Sequence, residues 1–141
     1  MKFAKILIAL FVLASSFFVH ADLLDNDAGV YVILKPDRTP SDLLYRLSKS
    51  VTGWQAEGKQ SNGEWKTISC EQGCQFSSSS ETDIAVWFPP DWRANTDIAC
   101  IRNEANAFCR FSAKGEPEKV GYVMIALVSE TPIPVFLRRM R

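Results

Sequence analysis

The residues with the clearest covalent chemistry are four cysteines, whose types and spacing suit either disulfide bonds or a metal site: Cys70, Cys74, Cys100 and Cys109. The spacings are C-x3-C and C-x8-C, without the repeated C-x2-C pairs that mark structural zinc sites. A thioredoxin-like redox centre needs C-x-x-C at a helix start, and the first pair is one residue too long for it. An even number of cysteines in a small chain therefore predicts two structural disulfides and no bound metal.

The pairing of these cysteines follows from the pattern around the second pair. The polar residues 103–106 separate Cys100 from Cys109 and have the composition of a hairpin loop. Folding the chain there sets the two cysteines opposite each other on one apolar face. The preferred bridge is Cys100 to Cys109, which leaves Cys70 to close a small loop with Cys74. Bridges from the first pair to the second are the alternative.

Histidine chemistry is excluded from the mature protein by the N-terminal segment. Residues 1–21 carry two lysines, then an apolar run of about 14 residues, and they end in a small residue, Ala21. This is the pattern of a cleavable secretory signal, and the run is shorter than the roughly 20 residues that cross a bilayer. Cleavage after Ala21 removes His20, the chain's one histidine. We therefore expect residues 22–141 to form a periplasmic or secreted domain without Ser-His-Asp, Cys-His or His-ligated zinc chemistry.

Carboxylates remain as catalytic candidates, because a pair of acids is sufficient for glycoside hydrolysis. The candidates are spread through the chain: Glu57, Asp83, Asp91, Asp97 and Glu104. None lies in a motif that predicts a raised pKa, so a cell-wall hydrolase is the third of three functional hypotheses. The glycines match neither the dinucleotide-binding nor the P-loop pattern, and no cofactor is expected.

The charge balance argues against a nucleic-acid partner. Removing Lys2 and Lys5 with the signal leaves 14 basic residues against 16 acidic ones, a formal net charge of −2. A nucleic-acid binder normally shows a clustered basic excess. The local cluster of Arg138, Arg139 and Arg141 is interpreted as a solvated terminal strand rather than a contact for anionic lipid or glycan. No later stretch is long and apolar enough to insert stably in a membrane.

Aromatic residues are the best candidates for recognition, because tryptophan offers a large contact area and one polar N–H. Trp54 falls on the apolar face of a predicted hairpin and is expected in the core. The predicted binding residues are Trp65, Trp87, Trp92 and Arg93. The preferred hypothesis is an exported, non-enzymatic protein that binds a protein partner in the cell envelope, as an inhibitor or immunity factor does. A binder of glycans or small molecules that uses exposed tryptophans is the second.

Strand patterns predict most of the elements that must position these residues. The strongest segments are residues 29–35, 54–59, 65–70, 97–102, 107–112, 120–129 and 133–139. The segment 120–129 is apolar on both faces and is expected at the centre of an antiparallel meander. Pro132 and Pro134 place the last segment at an edge, where a missing N–H does no harm. Residues 22–27 are expected to form a mobile N-terminus.

The hairpin predicted across residues 54–70 has two competing registers. A two-residue turn would oppose Ala56 to Ser69, whereas a three-residue loop opposes Ala56 to Ile68 and gathers the apolar side chains on one face. We favour the second register, with Gly63 at a left-handed bulge position.

Two helices are predicted from capping patterns. Residues 39–42 offer an N-cap, a proline at the first helical position and an acidic residue, and apolar residues follow at helical spacing up to residue 51. Residues 80–83 resemble a capping box before a short segment at 84–88. The expected fold is a single α+β domain, a mostly antiparallel meander of five to seven strands with one main helix, residues 39–51, on one face. A small β-barrel with an accessory helix is the alternative.

Overall fold

The chain folds into one antiparallel sheet that curls into a half-barrel. The computed structural model describes residues 22–68 and 75–141, so the predicted signal and the pair Cys70 and Cys74 lie outside the described residues. The strands are β1 (Gly29–Leu34), β2 (Pro40–Ser50), β3 (Gly53–Gln60), β4 (Lys66–Thr67), β5 (Ser77–Ser78), β6 (Thr96–Arg102), β7 (Asn106–Ala113), β8 (Val120–Ala126) and β9 (Ile133–Arg139). The described helices are α1 (Glu81–Trp87) and α2 (Pro90–Asn95), and a 3-10 turn covers Asp25–Asp27.

The strand order is β4-β3-β2-β1-β9-β8-β7-β6-β5, and each neighbouring pair is antiparallel. The prediction of a mostly antiparallel sheet is confirmed. The described residues contribute nine strands rather than five to seven, because β2 replaces a predicted helix and β5 was not predicted. The curl brings the fold closer to the alternative barrel than a flat meander would.

The prediction of a main helix over residues 39–51 is wrong, because this segment is strand β2. Strand β2 pairs along its length with β3 and along much of it with β1. Tyr45 and Leu47 alternate on its inner face and are fully buried. The predicted cap also differs, since the Thr39 hydroxyl donates to Asp37 at 2.6 Å within the β1–β2 turn. Pairing on both sides therefore outweighs the local helical pattern.

The predicted register of the β6–β7 hairpin and the favoured register of the β3–β4 hairpin are confirmed. Strands β6 and β7 pair Cys100 with Cys109. Strands β3 and β4 pair Glu57 with Thr67, the register of the favoured three-residue loop, and the Ile68 amide donates to the Ala56 carbonyl at 3.1 Å. Gly63 is not in the left-handed region, so the expected bulge conformation is wrong. The predicted short helix at 84–88 corresponds to α1, which begins with a complete capping box.

Strand β9 lies at the centre of the sheet, and its prediction as an edge strand is wrong. The pairing between β1 and β9 extends only from Tyr31 to Ile33 on the β1 side. The Met140 amide donates to a β1 carbonyl at 2.9 Å, and backbone amides alternate in direction along a strand. Pro134, six residues earlier, therefore turns its missing N–H toward β1 beyond the paired region, where no ladder bond is lost.

The inner face of the curled sheet holds an aromatic core. Phe108 is fully buried and packs edge-on to Tyr31, stacked on Tyr45 and beside Tyr122, with ring centroids 5.3, 5.8 and 5.6 Å away. These rings come from two pairs of strands that are remote from each other in sequence, β1 with β2 and β7 with β8. Their packing on the inner face therefore links the two halves of the sheet on either side of β9.

The N-terminal segment is docked against this core, in contrast to the mobile N-terminus expected. Leu23 belongs to the inner core, and Asp27 is 2% exposed. The Asp27 carboxylate pairs with Arg110 at 2.7 Å and accepts from the Tyr122 hydroxyl at 2.9 Å. The segment is acidic because one of its carboxylates occupies a buried site with its own cation.

The outer face of β6 to β9 is covered by the helix pair α1 and α2. Phe88 and Trp92 pack there around the Cys100–Cys109 disulfide, with ring centroids 4.8 Å apart. The preferred bridge of the second cysteine pair is thus confirmed. The bridge lies beneath the helices, where both sulfur-bearing side chains are buried.

Removing this disulfide should lower stability without changing the fold. The bridge spans a sequence separation of 9 residues. Loop-closure entropy for a loop of that size amounts to about 2.5 kcal/mol. We expect the C100A/C109A double variant to lose about that much free energy of unfolding in urea denaturation. An unchanged midpoint would show that the bridge adds nothing to the hairpin.

Candidate functional site

Within residues 22–68 and 75–141, one half of the outer sheet surface has no helix over it, and this half is the candidate site. Side chains alternate between the two faces of each strand, so the register fixes which residues point outward. The outward residues of β1, β2, β3, β4 and the end of β9 form this surface, called here the uncovered face: Val32, Leu44, Arg46, Glu57, Lys59, Trp65 and Arg138. Helices α1 and α2 pack instead on the outward residues of β6 to β9.

Trp65 lies on the uncovered face between cations. Its ring centroid is 4.3 Å from the guanidinium carbon of Arg46 and 5.0 Å from the ammonium of Lys59. Arg46 also forms an ion pair with Glu57 across the β2–β3 ladder, with 2.8 Å between Nη2 and Oε1. The indole is partly buried and held in place by these contacts. The group is thus a preformed aromatic and cationic patch.

Beside this patch, a cavity of about 430 Å³ opens between β2, β1 and β9. Its walls include Val32 and Leu44, which are paired across β1 and β2, and the side chains at the end of the chain. Arg138, Arg139 and Arg141 line it, and no Asp or Glu in the described part of the chain does. The cavity therefore joins an apolar base to a strongly cationic rim.

A second cavity of about 440 Å³ follows along β9, where β1 and β9 separate. Leu34, Pro134 and Phe136 line it with other apolar residues, and its charged lining residues are Lys35 and Arg38. The Arg38 guanidinium carbon lies 3.5 Å from the Phe136 ring centroid. This cavity repeats the chemistry of the first, an apolar base with cations at the rim.

The other predicted binding residues lie on the helix pair and do not join Trp65 in one cluster. Trp92 packs edge-on against Phe111 at 5.0 Å, within the outer core. The Arg93 guanidinium donates to the Phe88 carbonyl at 3.1 Å. Trp87 is partly buried beside Arg102, at 5.5 Å from its guanidinium carbon. Each of these three side chains already has a contact within the fold.

Two of the five predicted carboxylate candidates form ion pairs within the fold. Asp83 caps α1 and pairs with Arg102 at 2.8 Å, and Glu57 pairs with Arg46. Glu104 lines a polar cavity of about 250 Å³, and it is the one Asp or Glu among the described residues that does. Within the described residues, no group of three or more His, Cys, Asp or Glu side chains is placed to hold a metal ion. Residues 22–68 and 75–141 also contain no helix with the length and apolar character needed to span a bilayer.

The buried tyrosines of the inner core act as neutral hydrogen-bond donors. Burial raises the pKa of Tyr31, Tyr45 and Tyr122 above its ordinary value, and the Asp27 carboxylate raises that of Tyr122 further. Tyr31 donates to the Asp27 backbone carbonyl, and Tyr45 donates to the Asn106 side chain at 3.1 Å. These phenols serve the packing of the half-barrel rather than a surface site.

Sequence reasoning missed most of the uncovered face. Leu44 and Arg46 lie in the segment that was predicted as a helix. Arg38 lies just before that segment and was not among the predicted binding residues. Predicting residues 40–50 as a strand would have placed Leu44 and Arg46 on the face opposite to Tyr45 and Leu47, because side chains alternate along a strand. The cavities depend on β1 meeting β9, which no local pattern indicates.

Comparisons with protein-family models, with curated proteins and with solved structures find no match to this chain. The geometry of the uncovered face is therefore the basis for assigning a function.

Proposed function

We propose that this chain is an exported, non-enzymatic binding protein whose uncovered face docks a protein partner in the cell envelope. One observation carries the proposal: the helix pair seals one half of the outer sheet surface, and the other half displays Trp65 with Arg46 beside two cavities. Tryptophan and arginine are the residues most enriched at binding hot spots. Inhibitor or immunity-like binding is the activity that fits such a surface.

Export is part of the same proposal. The buried Cys100–Cys109 bridge is typical of compartments that oxidise thiols. Residues 1–21 have the composition of a secretory signal. Intact mass of the periplasmic and secreted fractions tests this step, because processing after Ala21 should leave a chain that starts at Asp22. A retained N-terminus would contradict it.

The contacts of Trp65 favour a protein over a glycan. Sugars stack on an open indole face, and the Arg46 guanidinium lies 4.3 Å from the ring of Trp65. Trp92 is partly buried, with Phe88 stacked on its ring and Phe111 packed edge-on to it, so it already belongs to the outer core. A hydrolase would need two carboxylates in one cleft, and none of the described Asp and Glu residues lines either of the two cavities.

The test is capture of a partner by variants of the full mature chain. We expect the immobilised protein to retain one protein stoichiometrically from envelope and secreted extracts, at moderate salt. Trp65→Ala should weaken that partner's binding by at least about 30-fold, the effect of a hot-spot residue. Trp87→Ala, on α1, is the matched control and should bind within about threefold of the native chain.

Two results would overturn the proposal. Retention of no protein would reject a protein partner. Loss of binding in Trp87→Ala with full binding in Trp65→Ala would move the docking surface to the helix pair. Circular dichroism of each variant separates a lost contact from a lost fold.

A further inference from the structure

We infer that the groove along β1 and β9 binds an extended acidic segment of the partner, an inference that rests on the protein-binding function proposed above. The groove, called here the β1–β9 trough, consists of the two cavities that follow each other along β9. The first opens on the uncovered face, and the second lies where that face meets the outer core under the helix pair. Its floor is apolar: Val32, Leu34, Leu44, Pro134 and Phe136. Its rim is cationic: Lys35, Arg38, Arg138 and Arg141.

The trough exists because the sheet separates at its centre. Strands β1 and β9 pair from Tyr31 with Arg139 to Ile33 with Leu137. Continuing that register would set Pro36 opposite Pro134, and neither residue has an N–H to donate. The ladder ends at Ile33 and Leu137, three positions before this proline pair, and the prolines cannot extend it. The second cavity occupies the space between the strands beyond that point.

The same prolines decide how a segment would be held. A sheet edge that lacks N–H donors is a poor template for an added strand. A segment lying in the trough must therefore be recognised by the floor and the rim through its side chains. Nine residues of extended chain, 133–141, span roughly 30 Å, which matches a bound segment of about eight residues.

The charge of the trough determines which kind of segment it can bind. Five Lys and Arg residues line the two cavities, and no Asp or Glu among the described residues does. The guanidinium of one of the five, Arg139, donates to the Ala28 carbonyl. Guanidinium groups bind carboxylates with two parallel hydrogen bonds, and an apolar floor binds aliphatic side chains. The cations lie at both ends of the trough, at Arg38 and at Arg138. An acyl anion carries one charged group and would leave the cation at one end of the trough without a partner. Acidic residues spaced along a peptide can pair with the cations at both ends.

Arg38 is held in an unusual conformation that serves this rim. Its φ of 67° makes it the one described non-glycine residue with a left-handed backbone. Such a conformation costs free energy for any residue with a Cβ, and glycine would relieve it. Arginine at this position instead extends its guanidinium over Phe136. The left-handed backbone at Arg38 thus lowers the stability of the β1–β2 turn, while the Arg38 cation stays at the mouth of the second cavity.

This conformation provides a sharp variant. Arg38→Gly removes the cation and also relieves the backbone, so the fold should remain intact. Arg138→Gln removes the outward cation at the other end. Lys114→Gln is the matched control, because Lys114 is exposed in the β7–β8 turn and lines neither cavity.

The experiment measures fluorescence anisotropy of a labelled octapeptide of alternating Glu and Leu on the purified mature chain. The same peptide with Gln in place of Glu is the ligand control. We expect the Glu peptide to bind at least tenfold more tightly than the Gln peptide, and to weaken as salt screens the cations. Arg38→Gly should weaken it about tenfold, Arg138→Gln about fivefold, and Lys114→Gln less than twofold.

Equal binding of the Glu and Gln peptides, or unchanged binding in Arg38→Gly and Arg138→Gln, would overturn the inference. Binding to phosphatidylglycerol vesicles without binding to the Glu peptide would assign the trough to a membrane and also overturn it. The native partner separates this inference from the function on which it rests. A captured partner that needs Trp65 and ignores Arg38 and Arg138 would refute the trough alone, whereas absence of any partner would refute the proposed function.

Discussion

Replacing Arg110 with methionine should lower the free energy of unfolding by about 3–5 kcal/mol, the cost of leaving a buried charge without its partner. Arg110 is the cation of Asp27, whose side chain is 3% exposed, and the two are 2.7 Å apart. The Tyr122 hydroxyl and the Leu24 amide would still donate to the carboxylate, but neither carries a positive charge. Urea denaturation at neutral pH measures the loss.

The double variant D27N/R110M is the control for this experiment. Removing both charges leaves no unpaired ion, so the double variant should recover part of the stability that Arg110→Met loses. An exposed ion pair contributes at most about 1 kcal/mol to the free energy of unfolding. If Arg110→Met loses no more than that, the N-terminal segment is not docked. The prediction thus tests whether residues 22–27 belong to the folded domain.

Phe108→Ala should be equally damaging. The ring is fully buried and touches three tyrosine rings that come from β1, β2 and β8. Truncating a buried phenylalanine costs about 3–5 kcal/mol through lost burial and the cavity left behind. We expect a loss of about 4 kcal/mol in urea denaturation, within that range.

Phe108→Leu is the matched control for the aromatic core. It keeps most of the apolar volume and loses the ring contacts, so its loss should stay below about 2 kcal/mol. Equal losses in the two variants would show that ring geometry rather than filled volume links the β1–β2 half of the sheet to the β7–β8 half. A loss in Phe108→Ala below that of Phe108→Leu would contradict the placement of this residue at the centre of the core.

The parts of the fold that could be predicted from sequence are local. The β6–β7 hairpin was predictable, because a polar loop and an alternating apolar pattern agree on one register, and the disulfide follows from it. The register of β3 and β4 was predictable for the same reason, and it placed Trp65 outward. The helix N-cap at Ser80 could be predicted because it involves only neighbouring residues.

The parts that could not be predicted depend on contacts between remote segments. Leu43 and Leu47 are four residues apart, a spacing that places them on one helix face and equally on one strand face. Only pairing with both β1 and β3 decides between the two, and that pairing is not visible in residues 39–51. The edge prediction for β9 failed similarly, because a proline is tolerated wherever its own side of the strand is unpaired.

The candidate site was predicted in part, for the same physical reason. Trp65 could be placed because its hairpin is local, but Arg46 comes from the strand mistaken for a helix. The trough needs β1 beside β9, which are about 100 residues apart in the chain. Arg138, Arg139 and Arg141 form a cluster that is visible in the sequence, but only the sheet shows the apolar floor beside them.

The most direct test of the central claim is site-specific photocrosslinking from the two halves of the outer surface. A photoreactive phenylalanine analogue at Gln55, exposed on the outward side of β3, samples the uncovered face. The same group at Val86, which is 65% exposed on α1, samples the helix pair. With envelope extract, we predict one discrete adduct from position 55 and none from position 86. An adduct from position 86 alone would contradict the assignment of the uncovered face as the docking surface.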